Sequence, residues 1–95
     1  MPVQRVLLRS GEEFRIDTAA VYVGKIRYGI EGVRGAVAGL FSRGMSIDVP
    51  GAPLRLEFTD RKTRESAMEA LARKLGGRIV RRGIWGKLDI RKPKV

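Results

Sequence analysis

Cysteine, histidine and asparagine are absent from this 95-residue chain, and glutamine occurs only at Gln4. Without cysteine there is no disulfide framework and no thiolate metal site; without histidine the usual general base and the commonest zinc ligand are missing. Acids are scarce as well, ten against twenty lysines and arginines. Their close pairs, Glu12-Glu13 and Glu65/Glu69, fall in an expected turn and on an expected exposed helix face, where carboxylates are ordinarily solvated. Metal-assisted phosphoryl chemistry needs converging carboxylates, and none converge in the pattern. The expectation is a protein that is not an enzyme and uses no metal or cofactor. No apolar run approaches the roughly 20 residues of a membrane span. The start, Met1-Pro2-Val3-Gln4-Arg5, lacks the apolar core of a signal peptide, which reads as an intracellular, cytoplasmic chain.

What remains is charge. The formal net charge is +10, with 43% hydrophobic and 32% charged residues, so the chain is globular but self-repelling. Such a surface calls for a polyanion, either nucleic acid or an anionic membrane. Ninety-five residues make one domain with a modest core, which association into a homo-oligomer, a dimer or tetramer, would strengthen. Few amides, no thiols, and fourteen arginines against six lysines are the composition of a hyperthermophile.

Periodicity predicts the elements. Val3 to Leu8 and Phe14 to Asp17 read as a hairpin around Ser10-Gly11-Glu12. After Asp17-Thr18, the apolar positions Tyr22, Ile26, Ile30, Val33, Val37, Leu40 and Phe41 recur every three or four residues, which predicts one helix or two joined by a kink over 18–43. Gly24, Gly29, Gly32, Gly35 and Gly39 oppose it, at up to about 1 kcal/mol each. Close packing of another backbone, or a break near Gly29 to Gly35, would answer that cost. Ser46 to Val49 and Leu54 to Thr59 alternate as two strands around Pro50-Gly51-Ala52-Pro53. A helix follows, opened by Asp60 and closed by Gly76-Gly77, with Ala67, Met68, Leu71, Ala72 and Leu75 as its apolar stripe and Glu69 and Arg73 as an exposed pair. Arg78 to Arg91 completes the chain as one strand or a hairpin bent at Arg82-Gly83. The expected fold is α+β, a mainly antiparallel sheet with two main helices on one face in the order ββ-α-ββ-α-β(β). It forms a single domain over 1–95 with a loose tail at 92–95.

The functional signal is concentrated late. Residues 78–95 hold seven bases and only Asp89 as an acid, net +6, against net +4 for residues 1–77. The sole tryptophan, Trp85, stands among them. Strand alternation sets Ile84, Leu88 and Ile90 on one face and Trp85, Lys87, Asp89 and Arg91 on the other. An indole among cations is a stacking platform in a positive field, the combination used to hold single strands. Arg78, Arg81 and Arg82 adjoin it, and Arg5, Arg9, Arg15 or Arg55 would join if their strands pair alongside. Tyr28, beside Lys25 and Arg27, is a second stacking candidate, whereas Tyr22 lies on the apolar stripe and reads as core. Structural alternatives exist for each: a core or interface tryptophan, and a solvated charged face.

Gly32-Val33-Arg34-Gly35 forms a G-x-x-G, which resembles the backbone-clamping loop of KH domains, and residues 14–76 resemble part of that fold. It departs from the pattern in carrying its base at Arg34 and in the extra basic strand; the alternative is helix packing through small residues. The cysteine-free, basic, thermophilic character, with Trp85, Lys87, Arg91 and Arg81/Arg82 as a groove lining, is similar to the ThermoDBP-related single-stranded DNA-binding proteins of crenarchaea. That resemblance implies a homo-oligomer whose subunits enclose the strand. The expected function is sequence-tolerant binding of single-stranded nucleic acid, DNA before RNA, through Trp85, Lys87, Arg91, Arg78, Arg81, Arg82, Arg34, Arg55 and Tyr28. The alternatives are a structural chromatin or ribonucleoprotein component that binds duplex, and a protein-interaction module.

Overall fold

The computed structural model describes residues 4–83 and 86–91, with Gln4 and Arg91 placed by their backbone alone. The chain begins as an antiparallel meander of Gln4–Leu7 (β1), Glu13–Ile16 (β2), Ala20–Val23 (β3) and Ile26–Gly29 (β4), which pair in sequence order as a four-stranded sheet. A 3-10 turn, Ile30–Gly32, leads to Gly35–Gly39 (β5), Gly44–Asp48 (β6) and Leu54–Glu57 (β7). The helix Arg61–Leu75 (α1) and the hairpin Arg78–Arg82 (β8) and Lys87–Arg91 (β9) follow. These later strands form a five-stranded sheet in the order β7-β6-β5-β9-β8. Among the described residues all of these strand pairings are antiparallel.

The helix expected over 18–43 does not form, so the α+β layout with two main helices gives way to a β-rich domain of two antiparallel sheets and one α-helix. Five glycines would cost such a helix about 4 to 5 kcal/mol relative to alanine, while Val21, Val23, Ile26, Val33 and Val37 are β-branched and suit a pleated surface. Gly24, at φ +60°, opens the two-residue turn from β3 to β4, a conformation that suits glycine. The three-to-four spacing of apolar residues is the sum of short strands and turns. Its members do not share a face: Val33 is fully buried, while Ile26 is 57% and Phe41 76% exposed. Gly32 and Gly35 stand at the end of the 3-10 turn and the start of β5, with no α-helix on either side, so the KH-like G-x-x-G geometry is absent.

The other elements follow the sequence. α1 is capped by Asp60, whose Oδ1 accepts the Thr63 N–H at 2.7 Å, and it ends at Gly76 in the left-handed region, φ 68°. Ala67, Met68, Ala70, Leu71 and Ala72 are its buried apolar residues. The helical ion pair forms between Arg61 and Glu65, at 3.4 Å, rather than between Glu69 and Arg73. One core serves both sheets: Phe14 of β2 and Phe58 after β7, both fully buried, meet edge to face with centroids 5.4 Å apart. A backbone bridge from Leu8 to Phe58 joins the sheets there. Among the described residues no helix is long and apolar enough to cross a membrane.

Candidate nucleic-acid interface

The inner face of the five-stranded sheet packs against α1 and the core it shares with the first sheet, which leaves the outer face to solvent. Register fixes what that face displays. Val37 of β5 pairs with Ser46 of β6 and Asp89 of β9; Ser46 pairs with Arg55 of β7, and Asp89 with Val80 of β8. One residue pair along, Lys87 lies between Gly39 and Arg82, and Gly44 pairs with Glu57. The centre of the face therefore carries Gly39, Gly44, Ser46 and Val37, small side chains or none, with long cations toward both edges.

This relief produces two open hollows. One, of ≈600 Å³, lies over β5, β6 and β7 and is lined by Gly39, Gly44, Ser46, Arg43, Arg55 and Glu57 among others. The second, of ≈750 Å³, lies over β5, β9 and β8 and is lined by Val37, Gly39, Arg82, Gly83, Lys87 and Asp89. Both include Val37 and Gly39, so they meet at the middle of the sheet. Their acids are largely neutralised. Arg82 Nη1 contacts Asp89 Oδ2 at 2.6 Å, and Arg9 Nη1 sits at 3.1 Å and 3.2 Å from the two Glu57 carboxylate oxygens. Arg43, Arg55 and Lys87 are exposed and carry no ion pair among the described residues. The trough is net positive with a flat floor.

The residues singled out in the sequence divide. Lys87, Arg82 and Arg55 gather at the trough, and Arg78 shares the outer face of β8 with Arg82 and Val80. Arg91 pairs with Arg78 through its backbone. Arg81 has the opposite parity: it pairs with Leu88, on the helix side of the edge strand. Arg34 is exposed in the connection before β5, with its N–H given to the Asp48 carbonyl, and lines neither hollow. Tyr28 is half-buried, pairs with Val21 and packs against the core, so it offers no open stacking face there. Trp85, with Ile84, lies outside the described residues. Leu88 and Ile90 do turn to the helix side, Ile90 being 5% exposed, while Lys87 and Asp89 take the other.

One aromatic residue was not singled out. Phe41 tips the β5–β6 loop beside Ser42 and Arg43 of the trough and is 76% exposed, with the Arg61 guanidinium 5.6 Å from its ring centre. Its loop is held from beneath by Arg64 of α1. That side chain is fully buried and reaches the carbonyls of Ser42 through Nε at 3.0 Å, and of Leu40 and Gly39 through Nη2 at 3.0 Å and 3.2 Å. Burial pushes its pKa below the ordinary arginine value; the Glu65 charge opposes this and the Arg61 charge adds to it. Three carbonyl dipoles take the place of a counter-ion. The Leu40 N–H also donates to Gly86 O at 2.8 Å, and Phe58 N–H to Arg43 O at 2.8 Å. The loop is thus tied to the helix, to the β8–β9 turn and to the junction of the sheets. The signal in the sequence was Arg64 itself, three and four residues before Ala67 and Met68, on the stripe where an apolar residue is expected.

Among the described residues no group of three or more metal-ligating side chains gathers. Comparison with protein-family models, curated proteins and solved structures finds no match.

Proposed function

We propose that this chain binds single-stranded nucleic acid along the outer face of its five-stranded sheet. The observation that carries the reading is the trough: a floor of Gly39, Gly44, Ser46 and Val37 between Arg43 and Arg55 on one side and Lys87 and Arg82 on the other. A floor without long side chains admits flat bases, and exposed guanidinium and ammonium groups at the rims take phosphates. Phe41 supplies an exposed ring at the edge of the trough, and Trp85 is retained as a second stacking residue on sequence grounds. With Glu57 and Asp89 matched by Arg9 and Arg82, the charges of Arg43, Arg55 and Lys87 stay free for a polyanion, which fits a chain of net charge +10.

The test is a fluorescence titration with single-stranded DNA, single-stranded RNA and duplex of matched sequence across salt concentration. Contact with about five phosphates gives log affinity against log salt a slope of roughly −3 to −4, with single strands preferred over duplex. Val37→Glu places a charge of the wrong sign where the hollows meet, at an exposed position. It should lower affinity at least about tenfold without changing the melting temperature. Unchanged binding by that variant removes the trough from the account, and a preference for duplex favours a structural chromatin or ribonucleoprotein role.

A further inference from the structure

The outer face of the four-stranded sheet holds a second constellation. Arg5 of β1 pairs with Arg15 of β2, Arg15 with Tyr22 of β3, and Tyr22 with Arg27 of β4, a single row across four strands. At ordinary strand spacing it spans about 14 Å. The opposite face of the same strands supplies Phe14, Ile16, Val21 and Val23 to the core, so the row points away from it. Arg5 and Arg27 are exposed, and the Arg15 guanidinium carbon lies 4.0 Å from the Tyr22 ring centre.

Like charges directly opposite on neighbouring strands weaken a sheet, yet Arg5 faces Arg15 here. Among the described residues none of the three arginines forms a salt bridge. The Asp17 carboxylate, which feels the Arg15 charge and the Tyr22 hydroxyl, accepts the N–H groups of Ala19 and Ala20, both at 2.9 Å, and leaves Arg5 and Arg27 without a counter-charge. Tyr22, expected to be core, instead has the Arg15 guanidinium over its ring, as a cation–π pair on the outer face. Such a pair offers a further flat group both an aromatic face and a guanidinium to stack on.

We propose that the Arg5–Arg15–Tyr22–Arg27 row is a second strand-binding face, with a nucleobase on the Arg15–Tyr22 pair and neighbouring phosphates on Arg5 and Arg27, so that one chain holds two single strands and bridges them. This rests on the reading of the chain as a nucleic-acid binder and adds a strand-pairing role to it. The two faces look outward from one shared core, so a short oligonucleotide on either leaves the other open.

The test counts oligothymidines of roughly six nucleotides, a length suited to one face, bound per chain at saturation, and measures energy transfer between donor- and acceptor-labelled strands. The intact protein should take two per chain and bring the labels together. Arg5→Ser/Arg15→Ser/Arg27→Ser should retain one, lose the transfer, and keep the affinity of the trough. Arg27→Glu alone, at an exposed position, should weaken the second site by about tenfold and covers the case in which the triple variant does not fold. One oligonucleotide per chain in the intact protein, or two in a folded row variant, overturns the second face and leaves the trough standing. No binding by the intact protein removes both.

Discussion

The Arg64 guanidinium, fully buried on α1, donates to the Leu40 carbonyl at 3.0 Å and thereby fastens the β5–β6 loop to the helix. With its bonds to Gly39 and Ser42 it satisfies most of a loop turn that would otherwise bury bare carbonyls. Arg64→Met keeps the contact volume but strands those acceptors. Urea unfolding should show a loss of about 3 kcal/mol, since hydrogen bonds to a charged donor are the stronger kind and buried acceptors left alone are costly. A loss under about 0.5 kcal/mol, the scale of ordinary surface changes, would mean that the loop does not depend on this anchor.

Phe41 is the counterpart of that anchor, held in place yet largely in solvent. Phe41→Ala should leave stability within about 0.5 kcal/mol and cost single-strand affinity about 1 to 3 kcal/mol, the worth of one stacked base. Parallel titration of Trp85→Ala apportions stacking between the two rings. A Phe41→Ala variant that binds as the parent does would place the bases elsewhere.

Acid should loosen the turns before the core. Asp17 is held below the ordinary carboxylate value of 3.8 first by the Ala19 N–H, then by Ala20, the Arg15 charge and the Tyr22 hydroxyl. Asp60 is lowered first by the Thr63 N–H at the start of α1. Because both are depressed in the folded chain, the unfolded chain takes up protons first as pH falls. Their contribution is complete above 3.8 and fades as pH drops through the lower folded values. Melting temperature measured from pH 6 down to about 2 should fall in that acid window. Asp17→Asn/Asp60→Asn, which do not titrate, should flatten that part of the curve.

At Gly35 a side chain would crowd β9: a Cβ there would stand 3.0 Å from the Ile90 carbonyl oxygen. Gly35→Ala should cost about 1 to 3 kcal/mol by overpacking against backbone, with faster amide exchange along the Ala36–Gly39 ladder to β9. Stability equal to the parent would show that the strands can separate without penalty.

Where local chemistry decided the structure, the sequence was informative. The Asp60 cap, the Gly76-Gly77 stop and the Pro50-Gly51-Ala52-Pro53 turn specify their elements with no help from elsewhere. Over 18–43 the outcome depended on partners distant in sequence. Gly35 to Gly39 is a poor helix and an indifferent strand alone, and becomes a central strand because β9 and β6 flank it. Lys87, Arg82 and Arg55 could be singled out from charge and parity, and they share the outer face of one sheet, Arg55 over β7 and Lys87 and Arg82 over β9 and β8. A helical period places Tyr22 in the core and Tyr28 outside it, whereas the strand period of two turns Tyr28 toward the core and Tyr22 to the outer face beneath Arg15. Arg64 and Phe41 required knowing that the helix lies beneath a loop some twenty residues earlier.

The position of β5 sets an order of events in folding. The meander of β1 to β4 can pair as soon as each strand appears, but Ala36 meets Ile90 only after more than fifty further residues have followed. Contacts of such separation form slowly. Until β9 arrives, one side of β5 is an open edge of the kind that recruits foreign strands. Its sequence, Gly-Ala-Val-Ala-Gly, begins and ends on glycine, which weakens an isolated strand. The same smallness that floors the trough in the finished molecule thus leaves β5 poorly ordered as a template until β9 completes it.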